Sequence, residues 1–246
     1  MVDKFRLKLN KSPFRINRPI PTQHMTPSIG YTSNISGRLG NQMFIYAYVR
    51  LLAEAENRPF KLKSDKLKAL FNTTEKSLID TTNYERPIGS EFYQDNNNLD
   101  LLLKHRDKVR EWFQLPIIGN TILSERGYPT IIHVRGTDFL SIGRKLPKSY
   151  YYNAMSGKKN FLVVTDDVNY AKSLFQLKYE IISSPNDLSI IYHAKDIIAS
   201  HSTFCWWGIF LGISKPVIVP ANDGIDDCWK PTNWGIKNLG WISIHG

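Results

Sequence analysis

The ten residues Thr130 to Phe139, TIIHVRGTDF, decide the fold. A β-branched, mostly apolar run starts just after Pro129 and stops at Arg135 and Gly136, as expected of a strand buried on both faces. Similar short runs recur downstream: FLVVT at 161–165, YEIIS at 179–183, DLSIIYHA at 187–194, DIIAS at 196–200 and PVIVP at 216–220. Helical segments separate them, at Tyr150 to Met155, in NYAKSLF (169–175) and through WWGIFLGI (206–213). Strands of this kind alternating with helices predict a parallel, Rossmann-like sheet covered on both faces.

Upstream of Pro129 the pattern is helical. In MFIYAYVRLLAEA (43–55), Phe44, Tyr48, Leu51 and Leu52 fall at helical spacing, and Asn57 and Pro59 act as stop signals. In DNNNLDLLLKHRDKVREWF (95–113), Leu101, Leu102, Val109 and Phe113 suggest another helix, capped by Asp95 or a neighbouring asparagine. Residues 1 to about 30 carry prolines and positive charge without periodicity and read as an irregular arm. A chain of 246 residues suits one large α/β domain or two small ones sharing a cleft.

Thirty-two Lys and Arg against twenty-two Asp and Glu leave a net charge of +10, which attracts polyanions, nucleotide phosphates or an anionic membrane surface. The excess is concentrated in the first 20 residues and between Lys61 and Lys76. It forms no continuous stripe with interleaved aromatics, so a solvated basic face is favoured over a nucleic-acid groove. Cys205 and Cys228 have neither zinc-site nor disulfide-framework spacing, in keeping with a reducing compartment. With no apolar signal region and no 18-residue apolar run, the expectation is a cytoplasmic protein with at most loose membrane-surface association.

Four segments carry candidate chemistry. SGRLGNQM (36–43) puts Gly40 and Asn41 at the entry to a helix, where exposed N–H groups and the positive helix end favour an anion; an ordinary tight turn with Asn41 as helix cap is the competing reading. HVRGTDF brings His133, Arg135 and Asp138 to the carboxyl edge of a strand, where open α/β sheets bind ligands. An arginine fork there suits a pyrophosphate, although Arg135 and Asp138 could also simply pair with each other, and His133 could be a core histidine. In IIASHSTFCWWGIFL, Ser202 and Thr203 open a helix as an anion nest, while Phe204, Trp206 and Trp207 pack it against the sheet. VVTDD closes a strand with Asp166 and Asp167; without a phosphate-loop pattern, one carboxylate accepting from a base edge and the other capping the next helix is preferred over a magnesium site.

Taken in order, GRLGNQMFIYA, HVRGTDF, VVTDD and SHSTFCWWGIFL resemble the motif series of the α-1,2-fucosyltransferases, glycosyltransferase family 11. The resemblance runs from about Gly37 to the C-terminus, and SEFYQD around Phe92 is similar to that family's aromatic GYFQ-like stretch. It implies a GT-B type fold, with an acceptor-side Rossmann-like domain at 1–125 and a GDP-fucose-binding one at 126–246. It also implies inverting transfer of fucose to a galactose-containing glycan, with no metal or other cofactor and no nucleic acid partner. Carried over, Arg135 holds the β-phosphate, His133 and Asp138 shape the donor pocket, Ser202 and Thr203 bind phosphate, and Gly40 and Asn41 face the donor. The family pattern HxRRxD is broken here, because Gly136 and Thr137 follow a single Arg135. His201, Cys205 and Ile45 stand where Asn, Ser and Gln are usual. Competing readings are another GDP-fucose-dependent enzyme, α-1,6 or protein O-linked, and a catalytically silent GDP-sugar or glycan-binding protein.

Overall fold

The computed structural model describes residues 29–71, 73, 83–176, 178–214, 216–221 and 230–246. The basic arm, Cys228 and part of the 61–76 basic segment lie outside the described residues. The N-terminal half runs β1 (Gly30–Thr32), α1 (Leu39–Ala55), β2 (Phe60–Lys61), α2 (Asp65–Phe71), β3 (Tyr84–Glu85), α3 (Asn96–Lys104), α4 (Arg106–Trp112) and α5 (Ile118–Glu125). The C-terminal half begins β4 (Thr130–Val134), α6 (Asp138–Ser141), α7 (Lys148–Ala154), β5 (Phe161–Thr165), α8 (Val168–Phe175), β6 (Glu180–Ile182) and α9 (Asp187–His193). It ends β7 (Ile197–Ile198), α10 (Thr203–Leu211), β8 (Val217–Pro220), α11 (Lys230–Leu239) and β9 (Ile242–Ile244).

The expected α/β architecture with two parallel sheets is present. A three-stranded parallel sheet, β2-β1-β3, belongs to the first half, and a six-stranded parallel sheet, β6-β5-β4-β7-β8-β9, to the second. Every residue of β4 is buried, and each is in register with β5, from Thr130 opposite Phe161 to Val134 opposite Thr165. Strands are added outward on one side of β4 and then on the other, so the order reverses between β4 and β7. In open α/β sheets that reversal point opens a crevice at the strands' carboxyl ends.

Two local readings are revised. DLSIIYHA, grouped by composition with the β-branched runs, is helix α9, with Leu188, Ile190 and Ile191 buried. It packs against both α5 and α10, so it is apolar on more than one face, and a run buried that way has no period to separate helix from strand. The first long helix starts at Leu39 with Arg38 at its N-cap, which puts Gly40 and Asn41 in its first turn and makes neither of them the cap. Asn57 (φ 51°) follows its end, and Asp95 caps α3 by accepting from Asn98 N at 3.2 Å, both as anticipated.

Contacts across the 125/126 division are extensive. Arg106 and Arg110 of α4 donate to Phe210 O, Leu211 O and Gly212 O at 2.6–3.1 Å, satisfying the otherwise orphaned carbonyls at the end of α10. Trp234 of α11 donates to Asp100 of α3 at 2.7 Å. One hydrophobic core runs from α1 through α10 to α11, while a second, built on Ile132, Val134, Tyr150 and Tyr151, fills the space beneath the other face of the larger sheet. Two glycines allow close approach across the division: a Cβ at Gly119 would lie 2.3 Å from Ser189 C, and one at Gly40 would lie 2.5 Å from both Phe204 N and Thr203 Oγ1. Backbone cannot retreat as a side-chain tip can, so Gly40→Ala is expected to cost about 2 kcal/mol by overpacking. Urea unfolding would check this, and an unchanged midpoint would show that α1 and α10 are not held that closely.

Candidate functional site

The crevice at the sheet reversal is a cleft of about 950 Å³ between the two halves. Its floor is fixed by a hydrogen bond joining the carboxyl ends of β4 and β7: His133 Nδ1 lies 2.7 Å from Ser200 Oγ, both buried. All eight residues nominated from sequence line this cleft: Gly40 and Asn41 from α1, His133, Arg135 and Asp138 after β4, Asp166 after β5, and Ser202 and Thr203 at the start of α10. Separate motifs therefore converge because each lies at a carboxyl strand end or at the helix facing it.

The turn after β4 is held by the paired aspartates. A Cβ at Gly136 would lie 2.3 Å from Asp167 Cβ, so an arginine cannot stand at that position without displacing the neighbouring strand end. Gly136 N donates to Asp166 Oδ1 at 2.8 Å, Thr137 Oγ1 donates to Asp166 Oδ2 at 2.8 Å, and Thr137 N donates to Asp167 Oδ2 at 3.2 Å. Those bonds maintain Thr137 at φ 45°, a conformation that costs a non-glycine residue free energy. Asp167 also caps α8 through Tyr170 N at 2.9 Å, the capping role anticipated for one of the pair.

Arg135 is mostly buried and forks between Asp166 Oδ2 and Asp138 Oδ1, the latter at 2.6 Å, with the Phe139 ring 5.1 Å from its guanidinium. Its pairing with Asp138 is thus real, yet it is one strand of a larger network. Arg38, which sequence reasoning did not single out, reaches the same two carboxylates, 2.9 Å from Asp166 and 3.5 Å from Asp138. The sequence signal for it was its position between Gly37 and Gly40 at a helix entry. Burial pushes the Asp166 carboxyl up, but Gly136 N–H, the Thr137 hydroxyl and Arg135 outweigh this and hold it below the usual aspartate range.

Ser202 is the N-cap of α10 and makes no side-chain cap bond, and with Thr203 and Phe204 it brings the start of this nine-residue helix to the cleft lining. The tryptophans behind it are structural, as expected: Trp206 stacks on Phe210 at 4.6 Å, and Trp207 donates to Gly40 O at 2.9 Å. Burial raises the Cys205 thiol in the same helix to about 12. Lys66, Arg144, Asp187 and His201 also line the cleft and were not predicted. Burial pushes Asp187 up to about 6 against the pull of hydrogen bonds from Ser184. Burial and then Arg144 keep His201 well below its ordinary value. Among the described residues no three His, Cys, Asp or Glu side chains cluster as a metal-ligand set, and no helix is long and apolar enough to cross a membrane.

No protein-family model matches the chain. It is similar to the O-antigen biosynthesis glycosyltransferase WbnK of Escherichia coli, 24% identical over 277 aligned positions that span 76% of this chain and 92% of that protein. Among solved structures it is similar to the β-Kdo 2,7-transferase KpsC of Thermosulfurimonas dismutans at 17% identity, over 78% of each chain, with a TM-score of 0.28, too loose a superposition to bear on the fold.

His133 is fully enclosed, and burial, reinforced by Arg135, lowers it to about 4 despite the opposing charge of Asp166. The unfolded chain therefore takes up this proton near 6.5 while the folded one does so only near 4, so stability is lost as pH falls through that window. Replacing His133 with Asn is expected to remove roughly 2 kcal/mol of that decline between pH 6.5 and 4.5. Urea unfolding of both proteins across the window is the measurement; a wild-type to variant difference that stays constant with pH would contradict a neutral, buried His133.

Proposed function

We propose that this protein is a glycosyltransferase that moves a sugar from a nucleoside-diphosphate donor to a glycan hydroxyl, and that the donor is GDP-fucose, the acceptor a galactoside and the new linkage α-1,2. The observation that carries the general reading is the convergence of Arg38, Arg135 and the α10 N-terminus at the reversal point of a parallel sheet, within a cleft between two halves. The likeness to a named O-antigen glycosyltransferase across nearly its whole length supports the same class. The finer assignment rests on the motif series, above all GRLGNQMFIYA with SHSTFCWWGIFL.

In this reading the bond between the sugar's anomeric carbon and the β-phosphate oxygen breaks, and its electron pair stays on the phosphate. Arg135 and Arg38 neutralise that growing charge, with Ser202, Thr203 and the N–H groups of α10 donating to the remaining oxygens. The acceptor hydroxyl oxygen bonds to the anomeric carbon from the opposite face, inverting its configuration, and gives up its proton. Asp138, the more exposed of the two network carboxylates at 46% against 29% for Asp166, is the proposed recipient. His133 stays neutral and Ser200 fixes its ring, so the pocket floor adds shape and a hydrogen bond but no charge.

Purified protein incubated with GDP-fucose, lactose and EDTA is expected to release GDP and form fucosyl-lactose. Arg135→Ala should lower kcat/KM by about 10² to 10³, and Arg38→Ala by somewhat less because that side chain is more solvated. Wild-type turnover by Arg135→Ala would overturn the donor assignment. GDP binding without transfer to any galactoside would mark a silent sugar-nucleotide-binding protein instead.

A further inference from the structure

Beside Arg38, the N-terminal half also gives the cleft a patch of different chemistry, formed by Phe92, Gln94 and Asn41. Tyr93, between the first two, sets their direction. It is fully buried in a left-handed conformation (φ 52°), stacked on Tyr48 at 4.5 Å, and its hydroxyl donates to Pro87 O at 3.1 Å. With that ring anchored inward, Phe92 and Gln94 on either side of it both line the cleft. The Phe92 ring is set against Gly37 (φ 76°), where a Cβ would lie 3.3 Å from Phe92 Cε1 and 2.9 Å from Asn41 Nδ2. A side chain at 37 would therefore crowd both groups and intrude on the patch.

Gln94 Nε2 donates to Asn41 Oδ1 at 3.0 Å. This bond uses the donor end of one amide and the acceptor end of the other, and it fixes the orientation of both. The amide ends outside that bond are Gln94 Oε1, an acceptor, and Asn41 Nδ2, a donor, on two residues that line the cleft. A hydroxyl both gives and takes a hydrogen bond, so neighbouring sugar hydroxyls match such a pair, and an aromatic ring beside it suits the C–H face of a pyranose.

We propose that Phe92, Gln94 and Asn41 form the acceptor-sugar subsite, with a neutral pyranose laying its C–H face on Phe92 and presenting adjacent hydroxyls to the two amides. This rests on the glycosyltransferase reading and deepens it: the donor's diphosphate meets the two arginines, and the acceptor meets an uncharged patch of the N-terminal half. Phe92 and Gln94 are then specificity-determining residues. Gln94 acts in part by holding Asn41.

The test is saturation-transfer NMR of methyl β-galactoside with full-length protein, with and without saturating GDP, alongside GDP titration by calorimetry. The wild type is expected to bind the galactoside with strongest transfer to the ring protons of one face. Phe92→Ala should weaken that binding about tenfold or more, while Phe92→Tyr restores it and the GDP Kd of both variants matches wild type. A wild type that binds GDP but no galactoside, or a Phe92→Ala protein with undiminished galactoside affinity, would overturn the subsite. Absent GDP binding by the wild type would count against the donor reading alone, since the galactoside arm is also read without nucleotide.

Discussion

Helices α1 and α10 touch almost backbone to backbone at Gly40, and the two walls of the cleft are spaced by that contact. Gly40 has no side chain to hold the helices apart, Trp207 donates to its carbonyl, and Phe44 packs at 4.8 Å against both Trp206 and Trp207. The N-terminus of α10 is thereby set beside the first turn of α1. Arg106 and Arg110 of α4 secure the opposite end of α10 through its terminal carbonyls. A single buried helix, fixed at both ends by the other half of the molecule, relates the small sheet to the large one.

The charge network across the cleft combines pairs of different worth. Arg135 is enclosed, so separating it from Asp166 and Asp138 without another anion would leave a poorly solvated charge. Arg38 is half exposed, and its pairs contribute about 0–1 kcal/mol. An incoming anion can draw Arg38 away at little cost while Arg135 exchanges one set of oxygens for another. Asp166 is less free to move, because the Gly136 N–H and the Thr137 hydroxyl hold it independently of either arginine. The turn keeps its shape whichever partner the guanidinium groups adopt.

Much of this was legible in the chain. The buried strand at 130–134 and the runs at 161–165, 179–183, 196–200 and 216–220 read as strands because short β-branched stretches have few alternatives. The nominated site residues meet because motifs at carboxyl strand ends of a parallel sheet share one edge. Helix α9 was not legible, since its surroundings on several sides erase the periodicity on which a helix is recognised. Arg38 and Asp187 were missed for a related reason: each is an ordinary charged residue at the start of a helix, and only the meeting of distant segments shows what it faces. The hydrogen bonds of Asp166 go to the turn of residues 136 and 137 and to two arginines, and a pairing that spans thirty residues or more has no local signature.

The glycine that follows Arg135 is explained in the same terms. At position 136 the chain passes so close to Asp167 that no side chain fits, and the same closeness lets the 136 N–H and Thr137 bind the aspartate pair. A second cation is nevertheless present at those carboxylates, supplied as Arg38 from the N-cap of α1 in the other half. One consequence separates this arrangement from two consecutive arginines on a single turn. Two arginines on one loop would form an anion site complete within the C-terminal half, whereas Arg38 and Arg135 come together only when the halves are apposed. On the proposed reading, phosphate recognition and closure of the cleft are therefore coupled: loosening the α1–α10 contact would weaken the grip on the donor without altering any residue that touches it.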